Sequence, residues 1–303
     1  MNVLVLGGSG FIGSHVVDHL LAAGHRVRVF DRAPERYRSP LKQVEYRLGS
    51  FDDTFQVAEA LQGMDAVCHL ISTTVPGTSN LDPVADVQSN LINTLSLLEQ
   101  MRKKSLRRIL YLSSGGAVYG NPELSPVSES HSLNPISSYG VVKVAIENYL
   151  KMYQQLYGFE PIILRPSNPY GSRQGHAGVQ GLIGTLLARA LAGDALEIWG
   201  DGSVVRDYMH VTDLARLSVA ALESGRCGVF NAGSGQGHSI HDIIDQIRNV
   251  TDEQLQVSYS EGRSFDVKEV VLDISHAKAV FGWQPEISLS DGIHEQLKWL
   301  KSL

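Results

Sequence analysis

Tyr139 and Lys143 stand four positions apart in SSYGVVK (137–143), a spacing that puts two side chains on one face of a helix. Tyrosine has a reference pKa of about 10 and is a poor base near neutrality. A neighbouring ammonium favours the phenolate, and such a pair can take the proton of an alcohol whose carbon gives up hydride. This chemistry usually wants a further hydroxyl on a neighbouring strand end. Residues 113–120, SSGGAVYG, offer Ser113 and Ser114 and then Gly115 and Gly116. Tyr-x-x-x-Lys also occurs by chance on many helices, so the weight of the pair depends on what surrounds it.

A hydride needs an acceptor, and the N-terminus provides a place for one. GGSGFIG (7–13) follows an apolar strand, NVLVL, and opens a helix-period segment. Gly7, Gly10 and Gly13 allow a tight turn and close backbone approach. Phe11 and Ile12 begin a helix whose first N–H groups suit a pyrophosphate. Eighteen residues beyond Gly13, the strand RVRVF ends at Asp31, where a carboxylate can take both ribose hydroxyls of an adenosine. The expected cofactor is NAD, since Asp31 would repel the 2′-phosphate of NADP. Arg32 is the neighbour that could accommodate that phosphate instead.

The elements that position these residues follow one pattern. Strands are expected at 2–6, 26–30, 44–48, 66–71, 108–114 and 161–165. Helices are expected at 11–24, 54–63, about 84–104 and 137–158. Strands separated by helices argue for an α/β fold, a doubly wound parallel (Rossmann) sheet. AVCHLI is nearly continuous in apolar character, as a strand covered on both faces should be. After Arg165 the chain changes character: RPSNPYGSRQGHAGVQG (165–181) reads as a long ordered loop, and 200–213 as a polar loop entering a helix. VFNAG (229–233) can rejoin the sheet. The expected division is a cofactor domain of 1–166 plus about 205–233, and a smaller, discontinuous substrate-binding lobe of 167–204 plus about 234–303.

Composition excludes several classes. The 303 residues are 43% apolar and 19% charged, enough to bury a core. A net charge of −6 gives no electrostatic case for nucleic acid or an anionic membrane as partner. The basic run RKKSLRR (102–108) suits a solvated helix C-terminus. Cys68 and Cys227 fit no metal or redox spacing and suit a reducing compartment. The first residues do not read as a signal peptide, and GLIGTLLARALAG (181–193) is too short to cross a membrane. A cytoplasmic protein is expected. HSIH (238–241) reads as a helix start rather than a metal site, with Ser239 or His238 beginning the helix IHDIIDQIRNV.

With these residues in hand, the chain resembles the extended short-chain dehydrogenase/reductase family, in particular its nucleotide-sugar epimerases of the UDP-glucose 4-epimerase type. The resemblance rests on GGSGFIG, Asp31, HLIS (69–72), Asn90, SSGGAVYG, YGVVK, LRPSNPYG (164–171), VRDYMHVTDLA (205–215) and RSFDV through Asp273, so it covers essentially the whole chain. It implies that Tyr139 and Lys143 are catalytic and that Leu70, Ser113 and Ser50 lie near the cofactor. It implies that Asn168, Arg206 and Arg263 hold the nucleotide diphosphate, a task for which the guanidinium fork is suited. It implies a homodimer packed through the two long helices.

Three departures from the family pattern follow. Relatives usually carry Ser or Thr where this chain has Gly115, which leaves Ser114 as the nearest substitute hydroxyl. Gly49 is followed by Ser50 where an acid usually contacts the adenine. Val270 stands where a bulkier residue in some relatives restricts the C2 substituent of the sugar, which would leave room for an N-acetyl group. The resulting expectation is an NAD-dependent 4-epimerase of a nucleoside-diphosphate sugar, UDP-hexose or UDP-N-acetylhexosamine, acting through a transient 4-keto sugar. The alternatives are a 4-keto nucleotide-sugar reductase on the same scaffold and a non-catalytic dinucleotide sensor.

Overall fold

The computed structural model describes residues 1–175, 181–251, 256–260 and 268–303. The expected alternation of strands and helices is realised. Strands β1 (Asn2–Leu6), β2 (Arg26–Asp31), β3 (Val44–Leu48), β4 (Ala66–His69), β5 (Arg108–Leu112), β6 (Glu160–Pro166) and β10 (Gly228–Ala232) form one seven-stranded sheet. Its order is β10-β6-β5-β4-β1-β2-β3 and every pairing is parallel. All four residues of β4 are buried, as the apolar run predicted, because helices cover both faces. Helices α1 (Phe11–Ala22) and α2 (Thr54–Ala60) follow β1 and β3. The 229–233 segment does return to this sheet, as an edge strand beside β6.

The helix expected over 84–104 is built in pieces. After the short α3 (Pro76–Ser79) come α4 (Pro83–Asp86), a π-helical segment at Val87–Ile92, and α5 (Asn93–Lys103). A π segment inside a helix carries a looser backbone repeat, and such segments gather at functional sites. Here it contains Asn90, whose side chain bonds to Thr73 and Asp86. A short turn, α6 (Gly115–Val118), leads to the long helix α7 (Ser138–Tyr157). Ser137 caps α7 by accepting the N–H of Gly140, and Gly158, at φ +66°, ends it in the left-handed conformation that glycine favours.

The second lobe departs from the loop expectations. β7 (Asn168–Tyr170) interrupts the long segment after Arg165, and part of that segment, 176–180, lies outside the described residues. Helix α8 (Leu182–Ala192) and strand β8 (Leu196–Trp199) follow. The stretch read as a polar loop at 200–213 contains β9 (Val205–His210), the centre of a second sheet with β7, β11 (Gly237–Ser239) and β13 (Glu269–Val270). Helix α9 (Val211–Glu223) follows β9 directly. Alternation misses β9 because its residues are polar and charged. It is stabilised instead by Asp207, wholly buried, whose carboxylate accepts from the hydroxyls of Ser167 and Ser234 and from the backbone N–H groups of Ser234, Gly235 and Leu272. Ser239 ends β11 and its hydroxyl accepts from Asp242 N–H, so it opens α10 (Ile240–Thr251). β12 (Val257–Ser260) pairs with β8, and α11 (Ser275–Phe281) and α12 (Leu289–Leu300) complete the chain.

One charged pair lies inside this core. Arg165 and Glu147 are 2% and 0% exposed, and the guanidinium donates from Nη2 and Nε to the two carboxylate oxygens at 2.6 and 3.0 Å. Ser113 Oγ donates to Glu147 as well, and Arg165 Nη1 donates to the Tyr119 hydroxyl. Removing one partner of a buried pair strands the other charge, at a cost of about 3–5 kcal/mol. Arg165→Met should therefore lower the unfolding free energy by roughly that amount in a denaturant titration, and a loss of under about 1 kcal/mol would show that the pair is not structural.

Candidate active site

The candidate residues come from just past the end of β5, where Ser114 stands, and from the first two turns of α7, which carry Tyr139 and Lys143. Lys143 is buried, and its ammonium donates to the Leu112 carbonyl at 2.8 Å. It lies 4.8 Å from the ring centroid of Tyr111 and 5.4 Å from that of Tyr139. Burial lowers the Lys143 pKa to about 8, while the carboxylates of Glu147 and Asp86 pull it upward. Burial also raises Tyr139, to about 12, against the Ser114 hydroxyl, which stabilises the phenolate. One desolvated wall thus drives the two groups apart, since burial disfavours both the phenolate of Tyr139 and the ammonium of Lys143.

Ser114 precedes α6 with an extended backbone, and its hydroxyl caps no helical N–H. The hydroxyl faces Tyr139 instead. Ser113 is committed elsewhere, through its bond to Glu147. Gly115 does not leave a gap above the strand end. A Cβ there would sit 2.6 Å from Leu272 Cδ1 and about as close to the carbonyls of Arg165 and Pro166, at 3.0 and 3.1 Å. The open side is one residue on: a Cβ at Gly116 would meet nothing within 4 Å, and Gly116 lines the cavity.

That cavity has a volume of about 400 Å³ and is lined by Tyr139, Lys143, Ser114, Thr74, Asn168 and Tyr208, among others. Ile12 and Leu70 form part of its wall. A second cavity, of about 330 Å³, adjoins it and shares Leu70 and Ser72. The second is lined by Gly7, Gly10, Asp31, Arg32, Arg36 and Ser50. Gly7 takes φ +84°, and Gly10 precedes α1 without a side-chain cap, so the first helical N–H groups face outward. A Cβ on Gly13 would collide with the Gly7 carbonyl, so the turn closes only around glycine. Asp31 accepts the N–H of Ser9 at 3.0 Å and of Ala33 at 3.2 Å, which fixes its carboxylate at the mouth of the turn. Two adjoining cavities, one with a glycine turn and one with the tyrosine–lysine pair, fit a dinucleotide whose reactive end lies beside Tyr139.

The predicted sugar-side residues do not all gather. Asn168 lines the first cavity and donates to the Asp207 carbonyl at 2.9 Å. Arg206 and Val270 are register partners on β9 and β13; Val270 is buried in the apolar cluster that includes the large sheet, and neither is part of the wall around Tyr139. Arg263 lies outside the described residues. Four residues escaped sequence reading. Asp52 and Arg36 line the adenosine-side cavity, so an acid is present there, three residues after Gly49 rather than one. Leu272 and Asp86 act from distant segments, and no local spacing announces them. His238 and His241 sit on different elements, and His241 Nε2 bonds to the Asp201 carbonyl. Among the described residues no group of three or more His, Cys, Asp or Glu side chains gathers, and no helix is long and apolar enough to cross a membrane.

Two substitutions test the strand end. Ser114→Ala should lower the turnover number by about 10²-fold, and an unchanged rate would remove Ser114 from the chemistry. Gly115→Ser should restore nothing and should lower the melting temperature, because its side chain meets Leu272 and two carbonyls.

Residues 3–233 match the model of the NAD dependent epimerase/dehydratase family. A UDP-glucose 4-epimerase of Mycolicibacterium smegmatis is 33% identical over 315 residues, covering 100% of this chain and 99% of that protein. The UDP-glucose 4-epimerase of Thermotoga maritima, solved with UDP-glucose, superposes with a TM-score of 0.95 at 33% identity over 100% of this chain and 99% of that one. The UDP-glucose 4-epimerase of Thermus thermophilus, solved with NAD, gives 0.93 at 33% identity over 99% of each chain.

Proposed function

The chain belongs to the NAD dependent epimerase/dehydratase family, and from that premise we propose that it is an NAD-dependent 4-epimerase of a UDP-hexose or UDP-N-acetylhexosamine. The observation that carries this reading is the pair of adjoining cavities, with the glycine turn and Asp31 in one and Ser114, Tyr139 and Lys143 in the other. NAD, when bound, supplies the hydride acceptor and the returning hydride. The chain's own residues handle the proton. Tyr139 takes it from the sugar 4-hydroxyl, assisted by the Ser114 hydroxyl. The ammonium of Lys143 favours the phenolate.

The substrate then exists as a 4-keto sugar, which turns over within the cavity, and Tyr139 returns the proton to the same oxygen. Gly116 leaves that space open. A family dehydratase would carry Asp and Glu where this chain has Gly116 and Ala117, which counts against water elimination. Asn168 and the lobe built on β7 and β9 take the diphosphate side, with Arg206 and Arg263 as the cations nearest in sequence to that role.

A second copy of the chain is the proposed partner. The helix run 83–103 and α7 lie side by side and leave apolar side chains outside the core: Val84, Ile92, Val141 and Leu156 are 74%, 50%, 52% and 63% exposed. Tyr149 and Met152 extend the same face of α7. An apolar face of this kind on two neighbouring helices is the surface a symmetric dimer covers. Val141→Asp with Leu156→Asp should convert a dimer to a monomer in sedimentation analysis, and an unchanged mass would place the interface elsewhere.

The deciding experiment incubates the protein with UDP-glucose, UDP-galactose and their N-acetyl forms. Interconversion without net NADH supports the epimerase. Turnover only of a 4-keto sugar, matched by NADH loss, would favour a reductase, and cofactor binding without turnover would favour a sensor. Tyr139→Phe should lower the rate by about 10²–10⁴-fold with the fold intact, and a near-normal rate would refute its role.

A further inference from the structure

The turn that carries Tyr139 is held by side chains from another element. The first N–H groups of a helix have no intrahelical acceptor. In α7, Ser138 N–H donates to Asn80 Oδ1 at 2.8 Å and Tyr139 N–H to Ser79 Oγ at 3.1 Å. Behind this contact lies Asp86, which is wholly buried at the end of α4. Its Oδ2 accepts from Ser138 Oγ at 2.6 Å. Its Oδ1 accepts from Thr74 Oγ1 at 2.6 Å and from Asn90 Nδ2 at 2.9 Å. Thr74 lines the reaction cavity, and Ser138 is the residue before Tyr139. One carboxylate therefore joins the cavity wall, the π segment and the catalytic turn.

A buried carboxylate is expensive unless its oxygens are hydrogen-bonded, and a neutral amide could bridge some of the same groups at lower cost. The charge itself calls for a reason. We propose that Asp86 is a positioning residue for proton transfer, tying the Tyr139 turn to Thr74 on the cavity wall and setting a fixed negative charge against the Tyr139–Lys143 pair.

The groups facing that pair are few. Lys143 has Glu147 one turn along α7 and Tyr111 of β5 beneath its ammonium. His69 of β4 is close enough to feel the ammonium, and burial first and then Lys143 lower its pKa to about 3, so it stays neutral. Tyr139 has Ser114 and Asp86, and Tyr111 behind it. Burial raises Tyr139 and lowers Lys143, and in both cases the charge of Asp86 acts upward. It makes the pair hold its proton more firmly. A 4-epimerase has use for this, because the proton taken from the sugar oxygen must be given back to it and none is consumed overall. That purpose rests on the proposed function, whereas the geometry does not.

The test is Asp86→Asn. Removing a negative charge makes each proton of the pair easier to lose, so both macroscopic titration steps should move to lower pH, by about one unit. The shift is read from the tyrosinate ultraviolet difference spectrum of substrate-free protein, with Tyr139→Phe as the blank. The acid limb of kcat/KM should move in the same direction. An unmoved titration in a variant that melts normally overturns the proposal. If Asp86→Asn does not fold, Ser138→Ala removes the tether and keeps the charge. Its kcat should fall on the order of tenfold, with KM within about twofold and the titration in place. An unchanged kcat would overturn the tether. Should the sugar panel show no epimerisation, the titration shift would still appear, so failure of the two readings can be told apart.

Discussion

The buried ion pair between Arg165 and Glu147 is the constraint on which the rest of the site depends. Arg165 belongs to β6 and Glu147 to α7, and Ser113 at the end of β5 donates to the same carboxylate. Two strands and α7 are therefore registered at one point in a medium where a misplaced charge has no water to turn to. The network continues through Tyr119 to Asn231 of β10. Because Glu147 lies one turn beyond Lys143, fixing the carboxylate also fixes where the ammonium meets the Leu112 carbonyl. The site's geometry is thus a consequence of how the sheet edge is pinned.

Electrostatics at the site follow from the same enclosure. A lysine and a tyrosine in one desolvated wall are pushed in opposite directions, downward and upward, because burial disfavours the charged form of each. Glu147 and Asp86 oppose the effect of burial on Lys143, and they do so from opposite sides, one along α7 and one from α4. Neither carboxylate is in contact with solvent. Little dielectric screening separates them from the pair, so small displacements of either element would alter the chemistry directly.

The strand end shows how distant segments decide a local question. Gly115 reads as a position from which a hydroxyl is missing, yet its Cβ direction is filled by Leu272 and by the last two carbonyls of β6. Leu272 follows β13 of the second sheet, and its N–H is held by the buried carboxylate of Asp207 on β9. The lobe that carries Asn168 therefore also closes the space beside Ser114. Closure there leaves Ser114, uncommitted to any helix cap, as the hydroxyl that faces Tyr139.

Much of this was legible without coordinates. Glycines at 7, 10 and 13 between a strand and a helix, with Asp31 at the next strand end, specify the tight turn that opens α1, because a Cβ at Gly13 would meet the Gly7 carbonyl. Alternating apolar runs specified the parallel sheet, and helical spacing paired Tyr139 with Lys143. What the chain alone could not reveal are relations with no fixed sequence separation. Strand β9 is polar, and only its partners and the buried Asp207 make it a strand. Asp86 and Leu272 reach the site from 53 residues before Tyr139 and 157 residues after Gly115. Local spacing records what neighbours on one element share. Burial, the close approach of charges and the filling of a glycine's empty side are decided by which elements pack together, and so by the tertiary structure.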